Sequence, residues 1–182
     1  MARIYVLQGK WIDAVLTFIT GGARSGKSAR AQRLAEDQDG ELVYLATAQA
    51  FDDEMRERIA RHRADRGPRW RTIECTIDLP EAIAREASDN RVLLVDCLTL
   101  WTSNLLLAEH DFAAASQRLM DTLSVANSPV IMVSNEVGMG IVPDNALARQ
   151  FRDMAGRLNQ QVAAIADRVE LVVSGLSLTL KP

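Results

Sequence analysis

The sequence predicts a single α/β domain in which a mainly parallel sheet carries helices on both faces. Two observations lead to this fold class. Short, partly β-branched apolar runs recur along the chain, and stretches of helix-forming residues separate them. Strands that are apolar on both faces belong to sheets covered on two sides, and regular alternation with helices favours parallel connections. The 182 residues are enough for one such domain with an ample core.

Five apolar runs are the predicted strands, and they cover residues 15–20, 42–47, 92–96, 130–134 and 169–173. The tail at residues 176–180 alternates leucine with serine and threonine, which is typical of an antiparallel final strand. Residues 1–14 form an N-terminal extension with a strand-like patch. An edge strand, a disordered arm and a start codon assigned too early are the alternatives for it. The predicted domain comprises residues 15–182.

Two stretches, residues 111–126 and 145–166, carry apolar side chains every three or four positions, which predicts amphipathic helices. Asp144 directly follows a proline and is the predicted N-cap of the second helix. A third stretch, residues 29–36, is rich in helix-forming residues. It follows the first predicted strand after a glycine-containing loop.

That loop fits the pattern G-x-x-x-x-G-K-[ST]. Strand, glycine loop and helix in this order bind phosphate, because glycines let backbone N–H groups turn towards phosphate oxygens and the helix N-terminus adds partial positive charge. Lys27 is predicted to reach the β- and γ-phosphates, and Ser28 to help hold Mg²⁺. The domain is therefore predicted to be of the P-loop NTPase type, with a phosphate loop made of Gly21, Gly22, Ala23, Arg24, Ser25, Gly26, Lys27 and Ser28.

Asp96 ends the predicted strand at residues 92–96. A carboxylate at that place lies beside the phosphate loop in such domains and holds Mg²⁺, directly or through water. The alternative is an ordinary turn or cap residue. We favour metal binding because the phosphate loop lies upstream at a suitable distance.

A predicted helix at residues 52–62 opens with acidic residues and closes with basic ones, as suits its dipole. It ends at His62, within a group of arginines whose charge suits a polyphosphate. The same positive field favours a neutral imidazole, which can attack an α-phosphorus. A packed helix-end histidine, a cationic lid over nucleotide and a nucleophile are the alternatives. The arginines are Arg61, Arg63, Arg66, Arg69 and Arg71.

Composition excludes several classes. The net charge of -3 gives no overall attraction to nucleic acid or to an acidic membrane. No apolar stretch approaches the roughly 20 residues of a membrane span. The two cysteines, Cys75 and Cys97, form neither a disulfide framework nor a metal-ligand pattern. We expect both to be buried, reduced thiols in a cytoplasmic protein.

Four segments together resemble the bifunctional adenosylcobinamide kinase/adenosylcobinamide-phosphate guanylyltransferase family of cobalamin biosynthesis. They are the phosphate loop, Asp52-Asp53-Glu54-Met55, residues 96–101 with Asn104-Leu105-Leu106, and the loop at residues 134–143. The likeness runs from about residue 15 to residue 181. The N-terminal extension lies outside it.

The resemblance implies two reactions that use Mg²⁺ and the substrates ATP and GTP. Adenosylcobinamide is phosphorylated first, and GMP then passes from GTP to adenosylcobinamide phosphate through a GMP–histidine intermediate. His62 matches that histidine by position, and Lys27 is the other implied catalytic residue. The family also implies a homotrimer. The metal ligands would be Ser28 and Asp96, and further nucleotide contacts would be Ala46, Thr47, Ala48, Arg63, Ala64, Asp65, Arg66, Glu74 and Asp96.

Two other functions share the phosphate loop. A small-molecule kinase without nucleotidyl transfer has no use for a histidine among arginines. A nucleotide-binding regulatory module usually carries a base-specificity motif such as N-K-x-D, and this sequence has none. Because the fold alone does not separate these classes, the site residues have to decide.

Overall fold

The computed structural model describes residues 4–7, 10–13, 15–49 and 67–182. Strands β1 (Ile4–Leu7) and β2 (Lys10–Asp13) pair with each other in an antiparallel ladder. Seven further strands form one sheet in the order β5-β4-β6-β7-β3-β8-β9, and every neighbouring pair is parallel except β8 with β9. They are β3 (Leu16–Gly21), β4 (Glu41–Ala46), β5 (Trp70–Glu74), β6 (Arg91–Asp96), β7 (Val130–Asn135), β8 (Arg168–Val173) and β9 (Leu176–Lys181).

Five helices within the described residues cover the two faces of this sheet. They are α1 (Lys27–Glu36), α2 (Leu79–Glu86), α3 (Leu98–Leu107), α4 (Phe112–Val125) and α5 (Ala146–Ile165). Buried side chains form two clusters. One joins α1 to the sheet, and the other gathers the apolar sides of α2 to α5. None of these helices has the length and apolar character needed to cross a lipid bilayer.

The predicted fold class is confirmed, and each strand predicted within residues 15–182 is present within a residue or two of its expected bounds. The tail forms the expected antiparallel strand β9. The central strands were predictable because both of their faces are buried, as in β3, where all six residues are buried. Four of the described elements were not predicted: β2, β5, α2 and α3.

The structure corrects one helix boundary. The N-cap of α5 is Asn145 rather than Asp144, because the Asn145 side-chain oxygen accepts a hydrogen bond from Ala148 N at 2.8 Å. A capping side chain must reach the N–H group three residues further on, and Asn145 has that spacing from Ala148. Asp144 contributes its carbonyl instead, which accepts from Arg149 Nη1 at 2.7 Å.

Both cysteines are free and buried, as predicted. Burial raises the pKa of the Cys75 thiol to about 12 and that of the Cys97 thiol to about 11. The protonated form therefore predominates near neutral pH, and neither thiol is an activated nucleophile.

Candidate active site

The phosphate loop turns between the carboxyl end of β3 and the first turn of α1. Its shape depends on two glycines that are packed against the β8–β9 hairpin. A Cβ atom on Gly21 would lie 2.3 Å from the Val172 carbonyl oxygen, and one on Gly26 would lie 3.2 Å from the Gly175 Cα. Gly26 also has a φ of 99°, which side chains disfavour. The hairpin fixes the loop further, since Gly175 N donates to the Ser25 carbonyl at 2.8 Å.

The interior of the loop is polar and suits an anion. Lys27 is only 8% exposed, and its Nζ donates to the Gly22 carbonyl at 3.2 Å. Ser25 Oγ is buried and has no hydrogen-bond partner among the described residues. A Cβ atom on Gly22 would meet nothing within 4 Å, so the backbone there is open to a ligand. Because buried hydroxyls normally have a partner, these features fit a loop that encloses phosphate oxygens.

The predicted metal ligands lie at the same edge of the sheet as the phosphate loop. Ser28 is in the first turn of α1, and Asp96 ends β6 beside Ala46 of β4. The half-buried Asp96 carboxylate accepts a hydrogen bond from Tyr44 Oη at 3.1 Å. No group of three or more His, Cys, Asp or Glu side chains in the described part of the chain could form a metal site by itself. A hydroxyl, one carboxylate and phosphate oxygens instead make a donor set of hard oxygens, which Mg²⁺ prefers.

Hydrogen bonds from buried residues hold together the loops that follow β4, β5 and β6. Thr47 Oγ1 donates to the Cys97 carbonyl and accepts from Cys97 N, both at 2.8 Å. From α3, Asn104 Nδ2 donates to the Thr47 carbonyl at 2.8 Å and to the Thr76 carbonyl at 2.9 Å. The backbone at Ala46 and Glu74, two predicted nucleotide contacts, is thus adjacent, and these residues are register partners.

Sequence reasoning placed Asn104 in a segment that resembles the family but did not identify its role in supporting the site. The signal was present, because an amide in the middle of a leucine-rich helix needs partners for its polar atoms. Which loops it would join could not be read from the sequence, since Thr47 and Thr76 belong to other elements.

The loop that follows β7 lies beside the phosphate loop. Gly21 and Asn135 are register partners, and Glu136 N donates to the Gly21 carbonyl at 3.0 Å. Helix α3 supports this strand end through Thr99, whose Oγ1 accepts from Asn135 N at 2.6 Å and shares a hydrogen bond with Ser134 Oγ at 3.1 Å.

A buried ion pair anchors α1, the helix that starts in the phosphate loop. Glu170 on β8 is fully buried and accepts from Arg30 Nε and Nη2, both at 2.9 Å. Arg168 Nη2 lies 2.7 Å from Glu170 Oε1. The hydrogen bonds from Arg30 lower the pKa of Glu170, so its carboxylate stays charged.

Two arginines that we expected near polyphosphate have structural partners instead. Arg71 Nε contacts Glu41 Oε1 at 2.8 Å, and its Nη2 contacts Glu86. Arg69 donates to backbone carbonyls between α1 and β4, including that of Gln38 at 2.8 Å. These contacts gather at the amino ends of β4 and β5, opposite the phosphate loop. The expectation was therefore wrong for Arg69 and Arg71.

The remaining residues of that arginine group lie outside the described residues, and so does the predicted helix at residues 52–62. The predicted site residues among them are Arg61, His62, Arg63, Ala64, Asp65 and Arg66.

Comparison with known proteins agrees with the site. The family model described as cobinamide kinase / cobinamide phosphate guanyltransferase matches residues 17–180. The bifunctional adenosylcobalamin biosynthesis protein CobU of Salmonella typhimurium LT2 is 42% identical, over 92% of this chain and 100% of that protein. CobP of Pseudomonas aeruginosa PAO1, with the same description, is 47% identical over 90% of this chain and 95% of its own.

Among solved structures, the assembled ATPase EscN of the enteropathogenic E. coli type III secretion system matches with a TM-score of 0.62 and 10% identity. The match covers 90% of this chain, which spans 44% of that ATPase. At this identity the likeness shows a P-loop NTPase fold and nothing more specific. The family match and the two close relatives carry the assignment: the chain belongs to the cobinamide kinase / cobinamide phosphate guanyltransferase family.

Proposed function

We propose that this chain phosphorylates adenosylcobinamide with a nucleoside triphosphate, ATP or GTP, and then transfers GMP from GTP to adenosylcobinamide phosphate. The products of the second step are adenosylcobinamide-GDP and pyrophosphate. Family membership supports the pair of reactions. The structural observation that carries it is the phosphate loop, whose buried Lys27 and whose Ser25 hydroxyl, without a partner in the described part of the chain, suit a triphosphate.

In the kinase step, the substrate hydroxyl attacks the γ-phosphorus and loses its proton to solvent, and the nucleoside diphosphate leaves. Lys27 would neutralise charge that grows on the transferred phosphoryl group and the leaving oxygen. Ser28 and Asp96 would hold Mg²⁺, which supplies further charge neutralisation. Most of the catalytic effect would come from holding the reactants in line.

In the transfer step, we propose that the neutral His62 imidazole attacks the α-phosphorus of GTP and expels pyrophosphate. A phosphate oxygen of adenosylcobinamide phosphate would then attack the histidine-bound GMP, which releases His62. The proposed nucleotide contacts besides the phosphate loop are Ala46, Thr47, Ala48, Arg63, Ala64, Asp65, Arg66, Glu74 and Asp96. The hydrogen bonds around Thr47 support this placement by ordering the carboxyl ends of β4, β5 and β6.

We also propose a homotrimer, following the family resemblance. Strand β9 is the outer strand of the sheet, and Leu176, Leu178 and Leu180 on it are 77%, 59% and 56% exposed. An open strand edge with exposed leucines is a surface that subunit contact would cover. Light scattering of wild type and Leu178→Lys tests this proposal, which predicts a lower mass for the variant. The cytoplasm is the proposed compartment, in keeping with two reduced thiols.

Radiolabelled GTP tests the function. With cobinamide and Mg²⁺, γ-labelled GTP should label the corrinoid in the first step, and α-labelled GTP should label it in the second. Without cobinamide, α-labelled GTP should give the protein an acid-labile, base-stable label, as expected for a phosphoramidate.

Substitution of His62 by alanine or asparagine should abolish protein labelling and GMP transfer yet largely spare phosphorylation. His110→Ala is the matched control, because this exposed histidine is the only other one in the chain. Covalent label on His62→Ala protein, or its loss from His110→Ala protein, would refute the assignment of His62. If γ-labelled GTP labelled the corrinoid and α-labelled GTP did not, the protein would be a kinase without transferase activity.

A further inference from the structure

The loop after β7 and the first turn of α5 expose large apolar side chains close to the phosphate loop. Met139, Ile141, Val142 and Leu147 are 82%, 98%, 60% and 53% exposed. We call these four residues the apolar loop patch. Single exposed apolar residues are common on proteins, but several within one short segment mark a binding surface.

Hydrogen bonds fix both ends of the loop, and the tip lies between these two fixed ends. On the strand side, the Glu136 carboxylate accepts from Gly138 N at 2.6 Å. On the helix side, Arg149 Nη1 donates to the carbonyls of Pro143 and Asp144 at 2.9 and 2.7 Å. The tip between these anchors carries the most exposed residues of the patch.

The patch also has a fixed relation to the phosphate loop. Glu136 N donates to the Gly21 carbonyl at 3.0 Å. Met139 follows three residues later, so its Cα lies within about 11 Å of the Glu136 Cα in any backbone conformation. A ligand that rests on the patch can therefore extend a polar arm to the phosphates held at the loop.

We propose that the apolar loop patch binds the macrocycle of the corrinoid substrate, while its hydroxyl-bearing arm reaches the phosphate loop. This inference rests on the proposed function. The acceptor in the kinase reaction must meet the γ-phosphorus of a nucleotide held at the phosphate loop, and its body is a large, methylated ring. Apolar side chains cannot bind a triphosphate, whereas a ring of this kind gains affinity from burial against them.

The test is a binding titration with the intact protein. Cobinamide is added in equilibrium dialysis and followed by its visible absorbance, and GTP binding is measured separately by calorimetry. Met139→Ser with Ile141→Ser should raise the Kd for cobinamide about tenfold or more, because burial of even one large apolar side chain is worth about that factor and the double variant loses two. The Kd for GTP should stay within twofold.

Val125→Ser is the matched control. Val125 is 74% exposed at the end of α4, shortly before β7 begins, and so lies at the opposite edge of the sheet. An unchanged cobinamide Kd in the double variant, or an equal rise in Val125→Ser, would overturn the proposal. If the double variant had a different mass from wild type in light scattering, the patch would be a subunit contact, and the proposal would be overturned as well. Wild-type protein that binds GTP but no cobinamide would overturn the proposed function together with this inference.

Discussion

Replacing Glu170 by glutamine should destabilise the protein, because the change keeps the side-chain shape and removes the charge that Arg30 and Arg168 face. Breaking a fully buried ion pair at one partner costs about 3–5 kcal/mol. Glu170 itself is fully buried, but the side chains of Arg30 and Arg168 remain 26% and 42% exposed. Water therefore compensates the arginines in part, and we expect the free energy of unfolding to fall by about 2–3 kcal/mol at pH 7.

This loss should depend on pH. Hydrogen bonds from Arg30 lower the pKa of Glu170 in the folded state. The stabilisation is therefore present above the unfolded-state pKa of about 4.3 and is lost as pH falls through the lower folded-state pKa. Glu41 and Glu86 also have lowered pKa values, so wild type and variant both weaken in acid. The difference in unfolding free energy between wild type and Glu170→Gln reports on Glu170 alone, and this difference should shrink below about pH 4.

Urea denaturation followed by tryptophan fluorescence measures this difference at pH 7 and at several values below pH 4.5. Glu81→Gln is the control, because Glu81 and Arg118 lie 3.8 Å apart with both side chains more than half exposed. That change should cost no more than about 1 kcal/mol. Because α1 begins at the phosphate loop, Glu170→Gln should also weaken GTP binding while Glu81→Gln should not. A loss at pH 7 below about 0.5 kcal/mol, or one independent of pH, would refute the reasoning.

Three further substitutions test the site. Lys27→Ala should lower both rates at least a hundredfold in a protein that still folds, since the charge next to the phosphates is lost; near-normal rates in either assay would contradict this role. Asp96→Asn should slow both steps and raise the Mg²⁺ concentration for half-maximal rate, because the amide loses the anion; an unchanged Mg²⁺ dependence would make Asp96 a structural cap. Asn104→Leu leaves the carbonyls of Thr47 and Thr76 without a donor, each at about 1–3 kcal/mol. Thermal unfolding should therefore start lower and the KM for GTP should rise, whereas an unchanged melting temperature would show that water replaces the amide.

The centre of the fold could be predicted from sequence because its signals are local. Strands β3 and β6 are buried on both faces, so continuous apolar runs mark them. Strand β5 is an edge strand whose residues are half-buried or exposed, and its mixture of arginine, threonine and glutamate hides it. Strand β5 was therefore missed because it has neither the continuous apolar run of the central strands nor the regular leucine alternation that marks the more exposed β9.

The site was predictable to the extent that its chemistry is local. The phosphate loop is a contiguous motif, and Asp96 directly follows an apolar strand. The partners of Arg71, by contrast, are Glu41 and Glu86, which lie in other elements. The cluster of arginines in the sequence therefore suggested a polyphosphate ligand, although in the fold Arg71 pairs with glutamates from other elements. The pairing of Arg30 with Glu170 escaped detection for the same reason, because the two residues meet only in the folded chain.

The contact between the phosphate loop and the β8–β9 hairpin has a consequence for the order of events during synthesis. Gly21 packs against the Val172 carbonyl, and Gly175 N donates to the Ser25 carbonyl. The loop is among the first segments of the domain to leave the ribosome, and the hairpin that shapes it is among the last. Growing chains that have not passed Gly175 thus lack the frame of the triphosphate site, although they already contain the whole motif. Translation that stops early would release fragments that cannot hold the nucleotide, so a stalled chain would not sequester or consume GTP.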